Sequence, residues 1–238
     1  KFGSVKLVGK SFGVLTLRVN EYDFDFALPR TETKIGLSHQ DFEVITNASL
    51  SFKEAAIRRD FTINAIGYDF FKEEFIDPFD GIEDLRTKTI KHINDKTFIE
   101  DSLRVYRAVA FASRFNFKIE EKTKELCKQI VLKNELKYLP KERVYEEFKK
   151  LFLKSSKPSI GFELMREIGI LKYFSELQAL INCIQEPEYH PEGDVWVHTM
   201  MALDEMARIL KEENIENDYK ELYLFYSIFS LYTTKIDN

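Results

Sequence analysis

Hydrophobic and polar residues alternate along the first thirty positions of the chain. The stretches VKLVG, GVLTLRV and YDFDFAL each have a two-residue period, and short Gly and Asn breaks separate them. This period is typical of β-strands in a sheet with one buried face. The pattern predicts an antiparallel sheet in which Asp23 and Asp25 leave the same face of the third strand. These two carboxylates could share a cation or simply face water.

After Asp41 the pattern becomes helical. Ser51 and Glu54 have the spacing of a capping box, which predicts a helix through SFKEAAIRRDFTINAI. A second strand pair follows, GYDFF and FIDPFDG. From about Lys96 onward only helices are expected, in six segments with a 3.6-residue period: DSLRVYRAVAFASRF, KTKELCKQIVL, KERVYEEFKKLFL, IGFELMREIGIL, DVWVHTMMALDEMARILKEE and KELYLFYSIFSLY. The predicted fold class is α+β, with an α+β head followed by an all-helical body.

Composition limits the class of protein. With 44% hydrophobic residues the 238-residue chain can form a core, and no apolar run reaches the length of about 18 residues that spans a bilayer. We therefore expect no membrane partner and a cytoplasmic location. Cys127 and Cys183 lie far apart in helical stretches, which predicts two reduced, buried thiols.

The net charge of −5 argues against a protein that binds nucleic acid over its whole surface. A local basic face is still possible. The stretch KERVYEEFKKLFLKSSK, residues 141–157, has more lysines than acidic residues and could contact phosphates. A solvated helix face is the alternative interpretation of the same charges.

A cluster of charges follows residue 100. On a helix, Asp101, Arg104 and Arg107 would lie three residues apart along one stripe. One interpretation is a surface ion-pair ladder that contributes a few tenths of a kcal/mol. In the other, Asp101 accepts and Arg104 donates hydrogen bonds at the edge of a nucleobase, and Arg107 contacts the base or a phosphate.

A second cluster interrupts the apolar run at residues 55–71. Buried charges are costly unless they have partners, and a ligand with phosphate and hydroxyl groups would supply them. Arg58 and Arg59 suit a triphosphate or a base, Asp60 suits ribose hydroxyls, and Asn64 suits a role in holding the turn together. A mutual salt-bridge cluster is the alternative.

Four segments in this order resemble consecutive motifs of the class II tRNA nucleotidyltransferase and bacterial poly(A) polymerase family: IRRDFTINAI, IDPFDGIEDL, FIEDSLRVYRAVAFASRF and LPKERVYEEFKKLF. The resemblance covers about residues 5–200. It implies a partial polymerase-beta-like nucleotidyltransferase head with a mixed or antiparallel sheet at residues 1–95. A helical neck that holds the nucleotide template and RNA would follow at 96–155, and an HD-like, truncated helical body at 156–238.

The resemblance also implies roles for single residues. Arg59 and Asp60, with Arg58 beside them, would bind the incoming nucleotide, and the aspartate would lie at the ribose. The segment IDPFDGIEDL would be a flexible strand and loop that lets the pocket change between C and A addition.

In the neck, the resemblance makes Asp101 and Arg104 a protein template that pairs with the Watson–Crick edge of CTP or ATP. Arg107 would contact the nucleotide as well. Family members often have a third arginine in this helix, and this chain has Ala110 there.

The family's Gly-rich GGxVRD motif and the DxD acid pair that follows it do not occur in the 238 residues, and YDFDFALPR only imitates such a pair. In the family this acid pair holds two Mg²⁺ ions, so Mg²⁺ is the implied cofactor and the chain by itself is expected to be inactive. In the family's register YDFDFALPR is a later strand, where Asp25 matches a third acid of the wider superfamily. Asp25 is thus the catalytic candidate, and Asp23 is peripheral.

The stretch HPEGDVWVH contains His190 and His198 and resembles the first part of an HD phosphohydrolase domain. Metal binding in such domains also requires a His-Asp doublet further on, and LYLFYSIFSLYTTK has none. We expect an HD-like helical fold without a working metal site, in which His198 is a packed or solvent-facing histidine.

The implied function is an RNA nucleotidyltransferase that adds CCA, or part of it, to tRNA 3′ ends from CTP and ATP. A poly(A) polymerase of the same family is the nearest alternative. A non-catalytic RNA-binding derivative of the fold is an alternative of a different class. A hydrolase that acts through the HD-like part is disfavoured because the doublet is missing.

Overall fold

The structure is a computed structural model that describes residues 4–8, 14–34, 42–212, 219–220, 222–224 and 227. The chain divides into two compact units. The first consists of Lys1–Ile82 and Ile93–Glu100, and the second of Glu83–His92 and Asp101–Asn238. In the part of the chain that the structure describes, no helix has both the length and the apolar character needed to cross a membrane.

The first unit begins with a three-stranded antiparallel sheet. Its strands β1 (Ser4–Val8), β2 (Val14–Val19) and β3 (Tyr22–Ala27) lie in the order β1-β2-β3. A two-residue turn joins β2 to β3, and Asn20 in this turn has a φ of 56°, which asparagine tolerates better than most residues. The sheet predicted from the alternating pattern is confirmed.

A second antiparallel hairpin follows, formed by β4 (Arg30–Lys34) and β5 (Phe42–Thr46). The expectation that the chain becomes helical directly after Asp41 is wrong for β5. The sequence of this strand, FEVIT, is rich in aromatic and β-branched residues that favour strands.

The predicted capping box at Ser51 is confirmed. The backbone N–H of Glu54 donates to Ser51 Oγ at 3.2 Å, and the backbone N–H of Ser51 donates to Glu54 Oε2 at 2.8 Å. The helix that it begins, α1 (Phe52–Ala56), is shorter than expected, and a 3₁₀ turn at Thr62–Asn64 follows. The polar residues between them form a turn instead of a helix.

The predicted second strand pair is also confirmed, as β6 (Gly67–Asp69) and β7 (Glu74–Ile76). Beyond β7 the Asp77 carboxylate accepts hydrogen bonds from the backbone N–H groups of Gly81 and Ile82, each at 2.8 Å. This side chain therefore caps helix α2 (Gly81–Arg86). Helix α3 (Asp95–Glu100) completes the described part of the first unit.

Helices make up most of what the structure describes of the second unit. Five of the six predicted helical segments are confirmed, and the sixth, KELYLFYSIFSLY, lies largely outside the described residues. The helices are α4 (Arg104–Phe115), α5 (Glu121–Leu132), α6 (Lys141–Lys154), α7 (Ser159–Ile168), the short α8 (Ser175–Gln178) and α9 (Val195–Glu212). One detail differs from the prediction, because β8 (Thr89–Ile90) pairs in parallel with β9 (Lys118–Ile119) among these helices.

Aromatic side chains form the core where α4 meets α6 and α7. The ring of Phe148 lies 5.9 Å from that of Tyr106 and 5.2 Å from that of Phe174, and the rings of Phe152 and Phe162 lie 5.7 Å apart. Such pairs contribute about 0.5–1.5 kcal/mol each beyond the burial of their area. This packing fixes the position of α4, which contains two of the predicted site residues.

The carboxyl end of α5 is closed by a later segment of the chain. Lys172 Nζ donates to the carbonyl oxygen of Val131 at 2.6 Å and to Asn134 Oδ1 at 2.8 Å. Tyr173 Oη donates to the same Val131 carbonyl at 3.1 Å. These donors add to the backbone N–H of Asn134, which donates to the same carbonyl at 3.0 Å just past the end of the helix.

The two cysteines are both free thiols. Cys127 is fully buried in α5, and this burial raises its pKa to about 12. Cys183 is only half-buried. The prediction of two buried thiols is therefore correct for Cys127 and wrong for Cys183, which lies in a loop and not inside a helix.

Candidate functional site

The turn after α1 contains the predicted site residues of the first unit. Asp60 is 7% exposed, and its Oδ1 accepts from the backbone N–H of Phe61 and from Asn64 Nδ2, both at 2.9 Å. Arg59 Nη1 donates to the backbone carbonyl of Asn64, also at 2.9 Å. Asn64 thus links the aspartate to the arginine and holds the turn together, as its position predicted.

This turn presents a cation at the surface. Arg59 is exposed and uses one guanidinium N–H for Asn64, while a guanidinium has five N–H donors in a fixed fork. Arg58 is half-buried beside it. The arrangement can bind an anion through Arg59. Asp60, in contrast, is buried, and its carboxylate accepts hydrogen bonds from groups of the same turn. Roles for these three residues toward a nucleotide remain predictions.

In the second unit Asp101 lies before helix α4 and not on it, since the helix begins at Arg104. The backbone N–H of Leu103 donates to Asp101 Oδ1 at 3.2 Å. The backbone N–H of Arg104 donates to the backbone carbonyl of Asp101 at 3.0 Å. The expectation that Asp101 and Arg104 share a helical stripe is therefore wrong. An aspartate that binds the backbone two residues ahead favours a turn over a helix.

The partner of Asp101 comes from another helix. Arg143 of α6 places Nη2 3.4 Å from Asp101 Oδ2, and the two side chains are 34% and 26% exposed. The carboxylate is thus held on one side by a backbone amide and on the other by a guanidinium. The sequence analysis did not identify Arg143, although it belongs to the quoted segment LPKERVYEEFKKLF.

Arg104 and Arg107 of α4 lie one turn apart and are both half-buried. Arg107 Nη1 is 3.7 Å from Oε1 of the buried Glu147, and its guanidinium lies over the ring of Phe111 at 5.4 Å. Glu147 also accepts from Lys150 Nζ at 2.7 Å. Arg107 is therefore paired with a residue of α6, and Arg104 is at the first position of its helix.

A cavity of about 670 Å³ opens beside these helices within the second unit. Aromatic rings form much of its wall, and two lysines also line it. The aromatic rings are Tyr106, Tyr145, Phe148, Phe152, Phe162, Tyr173 and Phe174, and the lysines are Lys137 and Lys141. Flat apolar walls next to cations are the chemistry that binds unpaired bases and their phosphates.

The two aspartates of β3 leave the same face of the strand, as predicted, and each has a partner on β2. Thr16 Oγ1 donates to Asp25 Oδ1 at 2.6 Å, and Arg18 Nε lies 3.7 Å from Asp23 Oδ1. A cation between the two would have to compete with Arg18. A centre with two Mg²⁺ ions requires several carboxylates that converge, so these residues by themselves do not fit one.

His190 and His198 both contact Glu192. Glu192 Oε1 is 3.3 Å from His190 Nδ1 and also makes a short hydrogen bond with His198 Nδ1. The hydrogen bond from His198 is the largest cause that lowers the pKa of Glu192, to about 2. The His198 side chain is 32% exposed, which agrees with the expectation of a packed or solvent-facing histidine, and a carboxylate six residues earlier in the chain also binds it. Sequence spacing gave no signal for Glu192.

Comparison with known proteins decides the family. Residues 1–91 match the poly(A) polymerase head domain, and residues 116–181 match a second region described as the probable RNA and SrmB-binding site of polymerase A. The chain belongs to the class II tRNA nucleotidyltransferase and bacterial poly(A) polymerase family. The resemblance inferred from its four motifs is confirmed.

Curated relatives in this nucleotidyltransferase family are similar over most of the chain. The multifunctional CCA protein of Pseudoalteromonas atlantica is 39% identical over 206 residues, which cover 85% of this chain and 50% of the relative. That of Mannheimia succiniciproducens is 41% identical over 196 residues, which cover 81% and 46%. The chain spans about half the length of the curated relatives it matches.

Solved structures of family members have the same fold. A tRNA-processing enzyme with CTP superposes with a TM-score of 0.67 at 29% identity, over 96% of this chain and 56% of that one. A tRNA nucleotidyltransferase with a primer tRNA and an incoming ATP analogue gives 0.65 at 29% identity, over 95% and 60%. The predicted α+β fold of a nucleotidyltransferase head followed by helices is confirmed. The domain limits at residues 95 and 155 stay predictions.

Proposed function

We propose that the protein is a template-independent RNA nucleotidyltransferase that adds CCA, or part of it, to tRNA 3′ ends from CTP and ATP in the cytoplasm. The observation that supports this proposal most directly is the held carboxylate of Asp101 beside Arg104. It occurs in a chain whose relatives are multifunctional CCA proteins and whose structural neighbours include enzymes with CTP and with tRNA.

The chemistry of these two side chains fits C and A together. Cytosine and adenine both have an exocyclic amine next to a ring nitrogen that accepts a hydrogen bond, whereas uracil and guanine have a carbonyl in place of that amine. The Asp101 carboxylate would accept from the amine, and the Arg104 guanidinium would donate to the ring nitrogen. One such bidentate match is worth about 1–3 kcal/mol of discrimination. Arg107 would contact the nucleotide beside them.

In the first unit, Arg59 and Arg58 would bind phosphate groups of the nucleotide. Asp60 would bind ribose at its exposed edge and would hold Arg59 in place through Asn64. The exposed guanidinium of Arg59 supports phosphate binding. The burial of Asp60 supports its role in holding Arg59 in place.

We also propose Mg²⁺ as the cofactor of the complete activity. Asp25 is the candidate catalytic carboxylate, and it would act together with other acids because it and Asp23 do not form a two-ion site between them. The two lysines that line the aromatic cavity, Lys137 and Lys141, would contact the tRNA backbone near its 3′ end.

The test uses the product of the complete open reading frame in the presence of Mg²⁺. It measures incorporation of labelled CTP and ATP onto tRNA that lacks its terminal CCA. Ordered addition of C, C and A supports the proposal. Long runs of A on varied RNA would support the poly(A) polymerase instead. Binding of tRNA without any incorporation would support a non-catalytic derivative.

A further inference from the structure

The aromatic cavity of the second unit has the size of a small-molecule site. Its volume of about 670 Å³ lies within the range of roughly 300–1,000 Å³ that is usual for ligand pockets. Besides the aromatic rings, the wall contains the aliphatic side chains of Leu136, Leu139, Val144 and Leu177. A ligand that fills this space would therefore need a largely apolar body.

One polar group of the wall is unpaired within the described part of the chain. Tyr106 is 5% exposed, and its hydroxyl makes no hydrogen bond with a described residue. The hydroxyl is not completely sealed either, so its remaining access is through the cavity that Tyr106 lines. Burial is the main cause that raises the pKa of Tyr106, and the nearby Tyr173 adds to it. The group therefore stays a neutral hydroxyl, which can donate one hydrogen bond and accept others.

The lining of the cavity has a net positive charge. It contains two lysines, Lys137 and Lys141, and a single acid, Glu176. Lys141 forms no ion pair with any residue in the described ranges, whereas Glu176 already accepts a hydrogen bond from Ser175 Oγ at 3.1 Å. Lys141 is thus a cation of the wall that a ligand can still use.

The start of helix α6 adds to this positive character. Lys141 is the first residue of the 14-residue helix, and Pro140 before it provides no side-chain cap. Lys141 and Val144 both line the cavity, so the first turn of α6 belongs to its wall. Uncapped N–H groups and the helix dipole favour an anion at this end of a helix.

We propose that the aromatic cavity binds a small aromatic anion, that is, a flat ring system with one carboxylate or sulfonate group. The rings would pack against the aromatic walls, where offset or edge-to-face contacts are favourable. The anionic group would lie at Lys141 and the first turn of α6. The hydroxyl of Tyr106 would form a hydrogen bond with a polar substituent of the ring system.

A nucleobase fits the interior of the cavity less well. Each base has several hydrogen-bonding groups on its edges, and within the described residues the interior offers the Tyr106 hydroxyl as an unpaired group to meet them. Buried polar groups without partners are costly. The cavity therefore favours a ligand with few polar groups.

This site goes beyond the proposed nucleotidyltransfer and does not depend on it. Lys137 and Lys141 are also proposed to contact the tRNA backbone, so a bound anion would compete with tRNA for these two lysines. Binding of the anion in the absence of RNA tests the site separately.

The test is a fluorescence titration of the product of the complete open reading frame with 1-anilinonaphthalene-8-sulfonate, without RNA. We expect saturable binding of one equivalent. The melting temperature should rise with probe concentration, because the probe binds the folded state. Excess CMP or AMP should not displace it.

The charge of the site is tested at Lys141. Lys141→Gln should weaken binding of the sulfonate probe by up to about fivefold, as expected for an exposed charge pair. It should not change binding of N-phenyl-1-naphthylamine, which has the same rings without the sulfonate. Lys133→Gln is the matched control, since Lys133 is exposed and does not line the cavity.

Two further variants test the interior. Tyr106→Phe should weaken both probes by about 2- to 10-fold, the usual range for one hydrogen bond, without lowering the melting temperature. Tyr138→Phe is its control, because Tyr138 lies outside the cavity wall. Val144→Phe places a larger side chain in the cavity and should abolish binding, while circular dichroism checks that the variant folds.

Three outcomes would overturn the proposal. The first is that the folded parent protein does not bind the sulfonate probe saturably. The second is equal affinity of the probe for folded Val144→Phe and for the parent, because the probe would then lie elsewhere. The third is displacement of the probe by CMP or AMP, which would assign the cavity to a nucleotide.

Discussion

Arg143 Nη2 lies 3.4 Å from Asp101 Oδ2, so a guanidinium on α6 fixes a carboxylate that precedes α4. Asp101 is also held by the backbone N–H of Leu103. In the proposed function this carboxylate accepts from the amine of C or A. Arg143 would then be a positioning residue, which affects nucleotide choice without contact to the base.

We expect Arg143→Ala to lower the preference for CTP and ATP over UTP and GTP by up to about fivefold, because a partly exposed ion pair contributes about 0.2–1 kcal/mol. The measurement is kcat/KM for each of the four nucleotides. Arg143→Lys keeps the positive charge and should recover part of the preference. An unchanged ratio in Arg143→Ala would show that Arg143 does not position the template.

Arg104→Ala should have a larger effect on nucleotide choice. Loss of the Arg104 donor breaks the bidentate match that it makes together with Asp101, which should lower discrimination by about 1–3 kcal/mol, or about 5- to 150-fold, while tRNA affinity stays nearly the same. Arg114→Ala, an exposed arginine in the last turn of the same helix, is the control and should leave the preference intact. If both variants keep full discrimination, Arg104 is not the template residue.

Substitutions at Asp60 and Asn64 separate the two roles of the turn after α1. Asp60→Ala removes the acceptor of two hydrogen bonds and should lower the free energy of unfolding by about 1–3 kcal/mol. It should also raise the KM for nucleotide or weaken the preference for ribonucleotides. Asn64→Ala is the comparison, and it should lower the melting temperature with little change in sugar preference. Equal effects of the two variants on sugar preference would show that Asp60 does not bind the ribose.

The two thiols should differ in reactivity. Burial raises the pKa of Cys127 to about 12, so at pH 8 its thiolate fraction is only about one in 10⁴, and the side chain is also inaccessible. We expect a disulfide reagent to label only Cys183 in the native chain and both thiols in denaturant. Fast native labelling that persists in Cys183→Ser would contradict the placement of Cys127 in the core.

The pattern of side chains predicted elements that are long or strongly periodic. Strands β1 to β3 and helices such as α6 followed from their two-residue and 3.6-residue periods. The hairpin of β4 and β5 was not predicted. One reason is that Phe42–Thr46 has strand-forming residues without a clean alternation. The two-residue strands β8 and β9 are too short for any period, and their pairing depends on contacts between distant parts of the chain.

The candidate residues could be named from sequence, but their partners could not. Asp101 and Arg104 were identified together, yet spacing placed both on one helix, because the turn made by Asp101 depends on its hydrogen bond to Leu103. Arg143 and Glu192 were missed for a related reason. Their roles come from contacts across the fold or through a loop, and a periodic pattern contains no such information.

The closure of α5 by Lys172 and Tyr173 has a consequence for how the second unit unfolds. Besides its local backbone donors, the Val131 carbonyl accepts from residues about forty positions later, so fraying of the end of α5 also breaks bonds to the segment after α7. The last amides of α5 should therefore exchange with deuterium together with those of α7. In this region the natural unit of local opening is a pair of helices, and not a single helix end.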